Sequence, residues 1–380
     1  MIERLLDRYD AAVFDVGPRL ARLRIEGAEP SAVDVLLGGG DAPRRSAPSG
    51  RPDAILQADP ATWARLADDV RGGMDAFLTG RLRVRRDLHL GVGFLAATAT
   101  AGRAGGLRFA SVPTAAGRIS TMEAGRGTPV VLLHGLGATK ASFLPSVAAL
   151  AATHRAIAID LPGFGDSDKP LRGAYDPAFF ARAVVALLDA LHLDRAHLVG
   201  NSMGGRVAIE VGLAAPSRVR RLGLLAPSLA WLRSRPWAPL LRLVPPQLGA
   251  LQPAPRRIAE EIARRALRGV DSPWTTAGLD EFLRSYLTPS GRAAFYAAAR
   301  NIYLEEPHGP DGFWTRLPQL SAPALFVWGR RDTIVPIRFA EHVRRALPSA
   351  EHVELDCGHV PQLERPRKTH AALERFLGAE

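Results

Sequence analysis

The sequence predicts an α/β protein: a mostly parallel, doubly wound sheet with a helical cap, preceded by a small α+β unit. Three observations carry that expectation. From residue 129 onward, apolar runs at 129–133, 155–160 and 324–329 alternate with stretches of helical character. A strand that is apolar on both faces is what a parallel sheet buries, and strands alternating with helices at this spacing build βαβ units. The first hundred residues instead carry short strands in which apolar and polar positions alternate. Between the two, residues 99–106 are small, Gly-rich and aperiodic, as suits a linker. The expected division is 1–98, a linker at 99–106, and 107–380 with a cap at about 227–320.

Composition bounds the function. At 380 residues the chain is comfortable for two domains, and its 47% apolar content supports a core that needs no staples. The one cysteine, Cys357, rules out an intrachain disulfide and fits a reducing compartment. The N-terminal residues mix both charge signs without the apolar segment of a signal peptide. No uncharged apolar stretch reaches the roughly 18 residues of a spanning helix, so a cytoplasmic location is expected. The net charge of +11 raises nucleic acid or an anionic membrane surface as partners. Yet the basic residues are almost all arginine, scattered and interleaved with acids; Arg83, Arg85 and Arg86 form the densest N-terminal cluster. Zinc-finger spacing, an aromatic RNA-binding signature and a basic helix are all missing, which argues against nucleic acid and leaves weak attraction to anionic lipid open.

In the first unit, residues 20–25 and 33–37 alternate like half-buried strands, and 53–58 reads as a third. Gly38-Gly39-Gly40 and the Pro/Ser/Arg-rich stretch 42–52 read as a surface loop. Asp59 is an expected N-cap with Pro60 at the first helical position, opening a helix through Trp63, Leu66 and Val70. A short helix at 74–77 follows, and 82–84 with 88–95 close the unit. Two segments, Pro52-Asp53-Ala54-Ile55 with Asp59-Pro60-Ala61-Thr62-Trp63, and Asp75-Ala76-Phe77-Leu78-Thr79-Gly80-Arg81-Leu82-Arg83-Val84, resemble the sterol-carrier-protein-2-like (SCP2) lipid-binding family. Arg86-Asp87-Leu88 stands where that family usually has Gly-Asp. The resemblance implies a small sheet backed by helices around an apolar tunnel, a lipid ligand, and no chemistry. A module kept for packing or dimerisation stays open beside it.

The second unit begins with a hairpin, 107–112 and 118–122, turning at Ala116-Gly117. The strand 129–133 ends in His134-Gly135-Leu136-Gly137, followed by a helical stretch through Phe143 and Leu150. The strand 155–160 runs into a loop that carries Asp166, and a helix at 177–191 precedes the pivotal segment. There an apolar run is followed by Gly200-Asn201-Ser202-Met203-Gly204 and then by a helical pattern. Gly-x-Ser-x-Gly alone is a weak signal; between a strand and a helix it reads as a sharp turn that lifts a serine above the sheet. After a strand at 219–225, residues 229–251 mix Leu and Arg with Trp231, Trp237 and Pro245-Pro246. Helical stretches at 255–267, 280–286 and 292–303 are expected to complete a cap over the sheet's carboxyl edge. Strands at 324–329 and 350–355 and a helix at 366–377 finish the chain.

A serine hydroxyl needs a base, and the base needs an orienting acid. Asp332 follows the strand at 324–329, and His359 follows the strand at 350–355. Both lie at strand carboxyl ends, where open α/β sheets place ligands. Residues 107–380 resemble the α/β-hydrolase superfamily, which shares the chain order serine, acid, histidine. The resemblance implies Ser202 as nucleophile, His359 as general base and then acid, and Asp332 as orienting carboxylate. It also implies an oxyanion hole from the backbone N–H groups of Met203 and Leu136. His134 reads as a structural loop residue, and Asp160 and Asp166 as acids that fix the loop after their strand. No cofactor or metal is expected: the histidines lack ligand spacing, residues 135–140 lack P-loop spacing, and no Gly-x-Gly-x-x-Gly follows a strand.

For the substrate, Gly200-Asn201-Ser202-Met203-Gly204-Gly205 is similar to carbon–carbon bond hydrolases of meta-ring-fission products, and also to carboxylesterases and monoacylglycerol-lipase-like enzymes. Those carbon–carbon hydrolases usually carry a Pro-containing loop after His-Gly, where this chain has Ala138-Thr139-Lys140-Ala141-Ser142. The apolar stretch 231–251 suits a hydrophobic acyl group. Ester hydrolysis of a hydrophobic small molecule is the favoured expectation. A carbon–carbon hydrolase, and a non-catalytic lipid-binding or scaffold protein with a vestigial site, stay beside it.

Overall fold

The computed structural model describes residues 1–380 apart from 70–72, 100–105, 233–235, 237, 252–256, 258–259, 262–272 and 379–380. Short alternating strands build one sheet: β1 (Ala21–Glu26), β2 (Val33–Gly38), β3 (Asp41–Ser46), β4 (Ala54–Ala58) and β5 (Leu82–Arg85), in the order β3-β2-β1-β4-β5. The buried positions of β1 recur every second residue, because only one face of this sheet is covered. Leu23, Ile25, Val35 and Leu56 on that face meet Trp63 and Phe94 from the helices Pro60–Asp68 and Leu88–Ala97. The first helix opens as expected: the Asp59 carboxylate accepts from Thr62 N–H at 2.8 Å, and Pro60 leads. It ends at Asp68; the expected extension to Val70 lies outside the described residues.

One expectation fails here. The stretch after Gly38-Gly39-Gly40 is not a loop throughout, because residues 41–46 form the edge strand β3, antiparallel to β2. It escaped pattern reading because an edge strand paired on one side shows no buried alternation, and it tolerates Pro43. All three glycines of the hairpin have positive φ (89°, 73° and 82°), a region that glycine enters without steric cost.

The second sheet contains β6 (Arg108–Thr114), β7 (Gly117–Ala124), β8 (Thr128–Leu133), β9 (His154–Ile159), β10 (Ala196–Asn201), β11 (Val219–Leu225), β12 (Ala324–Gly329) and β13 (Glu351–Leu355). Their order is β13-β12-β11-β10-β8-β9-β7-β6, with β13 to β9 parallel and the hairpin β6–β7 antiparallel at one edge. Every residue of β10 and β12 is buried, which explains why these strands read as unbroken apolar runs. The hairpin turns at Ala115-Ala116, with Gly117 (φ 98°) starting β7, one residue from the expected turn.

Between β11 and β12 lie the helices Ala238–Leu243, Pro273–Tyr286, Pro289–Leu304 and Phe313–Arg316, with a 3-10 turn at Pro246–Leu251. The helices expected at 280–286 and 292–303 are thus the carboxyl part of one element and most of the next. Those expected at 255–267 lie largely outside the described residues, as does most of the linker at 99–106. No helix among the described residues is long and apolar enough to cross a membrane.

The helix Pro273–Tyr286 is wedged against the first unit. Trp274 meets Phe77 edge-on at 4.8 Å between ring centroids, and Asp280 accepts from Arg85 Nε and Arg86 N–H, each at 2.8 Å. Arg86, standing where the resemblance leads one to expect glycine, sits at φ 74°. The backbone keeps the glycine-type conformation, and the bond to Asp280 holds a non-glycine residue in it.

Candidate active site

Ser202 stands at the carboxyl end of β10 with φ 52° and ψ −117°. A non-glycine residue in this region costs about 1–3 kcal/mol unless its surroundings impose it. They do: Ser202 N–H donates to the Leu225 carbonyl at 3.0 Å, and its own carbonyl accepts from Arg206 (3.1 Å) and Ser228 (2.9 Å). The flanking glycines have a steric cause. A β-carbon on Gly200 would overlap the Gly204 carbonyl group, and one on Gly204 would overlap the Leu133 carbonyl. The turn closes only if both lack side chains.

The helix Met203–Ala214 starts at the next residue, so its first N–H groups and its positive dipole end face the same space as Ser202. Gly135 of the loop after β8 approaches from the other side; a β-carbon there would lie 3.3 Å from Ser202 Cβ. Leu136, next in that loop, is partly buried against the core of the large sheet. Among the described residues, neither Met203 N–H nor Leu136 N–H is spent on a protein acceptor. Two donors of this kind flanking a serine are what a developing oxyanion requires.

Asp332 and His359 meet in the loops after β12 and β13. His359 Nδ1 and Asp332 Oδ2 lie 2.7 Å apart, with the Asp332 side chain fully buried and that of His359 13% exposed. Asp332 Oδ1 accepts from Ile334 N–H (2.8 Å) and Val335 N–H (2.9 Å), so the carboxylate cannot turn away. Held against a carboxylate, Nδ1 carries the proton and Nε2 is the basic nitrogen. Cys357 beside them is buried, which pushes its thiol up to about 12 and leaves it inert.

A residue that the sequence marked only as a family resemblance joins the two halves. Asn201 Nδ2 donates to the Leu225 carbonyl and to the His359 carbonyl, each at 3.0 Å. The amide next to Ser202 thereby ties the histidine loop to the serine turn. No spacing rule foretells such a bond, since its partners lie 24 and 158 residues away.

The supporting polar residues fall where the sequence placed them. Leu161 N–H donates to His134 Nε2 at 3.0 Å, so Nδ1 carries the proton and donates to the Gly135 carbonyl at 2.8 Å. Burial holds this imidazole below its ordinary pKa, and His134 is a neutral brace for the loop. Asp160 accepts from Lys140 Nζ at 2.6 Å, from Lys140 N–H at 2.7 Å and from Asp166 N–H at 2.9 Å, fastening the loops after β8 and β9 together. A buried ion pair below the helix after the turn was not legible in the sequence. Arg206 bridges Glu210 and Glu305 and lies over the Phe313 ring at 4.8 Å, pinning the end of the cap to that helix.

Aromatic side chains of the cap form an apolar wall beside the serine loop. Phe282 and Phe295 pack against Gly137 in the loop beside Ser202, and Tyr286 and Tyr296 extend the cluster, their hydroxyls 2.7 Å apart. Of the stretch 231–251, Gly249 lies against Tyr296 of this cluster, while Trp231 (42%), Leu243 (79%) and Leu251 (79%) are exposed.

Residues 128–366 match the alpha/beta hydrolase fold family. The chain belongs to that family. Residues 2–95 of the hydrolase match the SCP-2 sterol transfer family. Over 274 residues it is 32% identical to a 2-hydroxy-6-oxononadienedioate/2-hydroxy-6-oxononatrienedioate hydrolase of Paraburkholderia phymatum, covering 67% of this chain and 88% of that one. Over 260 residues it is 34% identical to the dihydrolipoyllysine-residue acetyltransferase component of an acetoin cleaving system of Pseudomonas putida, spanning 66% of this chain and 64% of that one. Among solved structures it resembles a membrane phospholipase A described as a bacterial virulence factor, at 30% identity and a TM-score of 0.55, over 72% of this chain and 86% of the other.

Proposed function

We propose that this hydrolase cleaves a carboxylic ester of a hydrophobic, lipid-like or acylglycerol-like substrate through an acyl-enzyme. Ser202 Oγ attacks the ester carbonyl carbon while His359 Nε2 takes its proton, and the oxyanion is held by Met203 N–H and Leu136 N–H. The carbon–alkoxide bond then breaks, and the leaving alcohol receives the proton from His359. Water repeats the sequence on the acyl-enzyme, with His359 again as base, and releases the carboxylic acid. Asp332 orients the imidazole and stabilises its cation. The observation that carries this reading is the 2.7 Å Asp332–His359 bond, tied through Asn201 to a serine held at φ 52°.

Support for a hydrophobic acyl group comes from the Phe282, Phe295 and Tyr286 cluster against the Gly137 loop, and from the likeness to a phospholipase A. A lipid ligand for the N-terminal domain is supported by its match to the SCP-2 sterol transfer family. Contact with an anionic membrane surface is supported by the cap: among the described residues, seven of the eleven exposed large apolar side chains fall at 231–251, in a chain of net charge +11. A second reading, carbon–carbon bond hydrolysis, is favoured by Asn201 before the serine and by the Paraburkholderia phymatum relative.

The test is a panel of p-nitrophenyl butyrate, p-nitrophenyl octanoate, a monoacylglycerol and a ring-fission dienoate. Esters are expected to turn over, and Ser202→Ala to lose that turnover together with labelling by a fluorophosphonate. Cleavage of the dienoate alone would move the assignment to the second reading. A folded wild type that takes no fluorophosphonate would point to a vestigial site.

A further inference from the structure

A cleft of about 640 Å³ opens between the first unit, the loop after β9 and the helix Pro273–Tyr286. Its size falls in the roughly 300–1,000 Å³ range of small-molecule sites, which favour domain junctions. The helix that sets Phe282 against the serine loop contributes Leu283 and Arg284 to this cleft, with Leu287 just beyond it, so the cleft and the Ser202 centre share one wall.

The charges around it do not balance locally. Four acids line it, and each is already engaged. Asp53 accepts from Arg19 (2.9 Å) and from Arg22 N–H (2.8 Å). Asp87 caps a helix through Leu90 N–H at 2.8 Å and lies 3.7 Å from Arg284. Asp166 takes Arg284 at 2.6 Å and Lys140 at 3.2 Å. Asp280 takes Arg85 and Arg86 N–H at 2.8 Å each. Two lining cations have no such partner: neither Arg51 nor Lys169 is in an ion pair among the described residues. Arg51 is exposed. Lys169 Nζ donates to two carbonyls, Gly165 at 2.6 Å and Ser167 at 3.1 Å, leaving one N–H of the three unspent. Burial pulls its ammonium below the usual lysine range, against the partial counter-pull of Asp166 and Asp160.

We propose that this cleft is a second binding site of the hydrolase, separate from the Ser202 centre, for a compact oxyanion of the phosphate class, with Arg51 and Lys169 as its charged contacts. Five cations against four acids in the lining leave an excess of positive charge, and an anion there gains charge-assisted hydrogen bonds. Leu283, Leu287 and Pro52 add apolar lining beside the charged end. A phosphate carried on an alkyl chain and a free phosphate ion share this chemistry, and the measurement separates them.

The test is isothermal titration of the full-length protein with octyl phosphate, inorganic phosphate and octanol. It needs no turnover, so its outcome is independent of the ester reading. Octyl phosphate is expected to bind, and the double variant Arg51→Ala, Lys169→Met to weaken it about tenfold or more, as the loss of charged hydrogen bonds does. The charge-keeping pair Arg51→Lys, Lys169→Arg is expected to retain most of the affinity, which separates charge from folding. Tighter binding of octyl phosphate than of inorganic phosphate upholds the site for an amphiphile; equal binding upholds it for the free ion. Affinity unchanged in the double variant, octanol binding as well as octyl phosphate, or no heat from either phosphate at millimolar concentration overturns the proposal.

Discussion

Asp332 has one carboxylate oxygen spent on two backbone N–H groups and the other on His359. Asp332→Asn keeps the size but offers an amide in place of an acceptor, which turns the imidazole to the wrong tautomer. On the proposed mechanism kcat for an octanoate ester falls on the order of 10³–10⁴-fold with KM little changed. Steady-state kinetics, with circular dichroism to verify folding, check this. At the same scale, Gly200 and Gly204 show why the motif could be trusted in context: the backbone contacts that forbid a β-carbon at each are made by the strand–turn–helix path itself. The role of Asn201 was not legible, because its acceptors are carbonyls in distant loops whose positions depend on the closed sheet.

Among the elements, the helix Pro273–Tyr286 has the most to hold. Glu281 accepts from Leu88 N–H in the first unit at 2.7 Å, from Thr139 Oγ1 beside the serine loop at 3.2 Å, and from Arg284 at 3.1 Å. Burial raises its carboxyl above the usual range, with Arg284 pulling the other way. Glu281→Ala leaves a buried N–H and a hydroxyl without their acceptor, each costing about 1–3 kcal/mol. The expected outcome is a urea midpoint that falls with the slope unchanged; a midpoint within error of wild type would refute the wedge. This helix was seen in the sequence only from Asp280 onward. Its earlier turns face Phe77 and other residues of the first unit, so their apolar positions answer a partner that a window of sequence does not contain.

For the whole molecule, buried histidines tilt stability against acid. Burial lowers His89, His197 and His370 to about 4, and His370 Nε2 lies 2.9 Å from Ser146 Oγ. Unfolded, each titrates near 6.5. Between about 6.5 and 4 the unfolded chain binds protons that the folded one refuses, so stability is complete above this window and is lost as pH falls through it. Each group contributes a slope of up to about 1.4 kcal/mol per pH unit. Urea midpoints measured from pH 7 to 4.5 are expected to fall steadily, and His370→Gln to make that fall shallower by one proton's share. An identical slope in the variant would show that His370 is not among the groups responsible.

Local covalent and steric rules decided much of this protein before it folded. Runs apolar on both faces suit interior parallel strands, Asp59-Pro60 can start a helix, and a serine flanked by small residues between strand and helix can make the sharp turn. Asp332 and His359 were legible as candidates because each follows a strand, and the fold brings their side chains within 2.7 Å of each other. Tertiary structure alone decided what side chains meet across the chain. It placed Phe282 and Phe295 against the serine loop, and it paired the polar stretch 41–46 as an edge strand. It also used Arg86 in a glycine conformation to receive the cap through Asp280. In each case the reason is the same: burial and hydrogen bonding are properties of neighbours in space, and these neighbours are far apart in sequence.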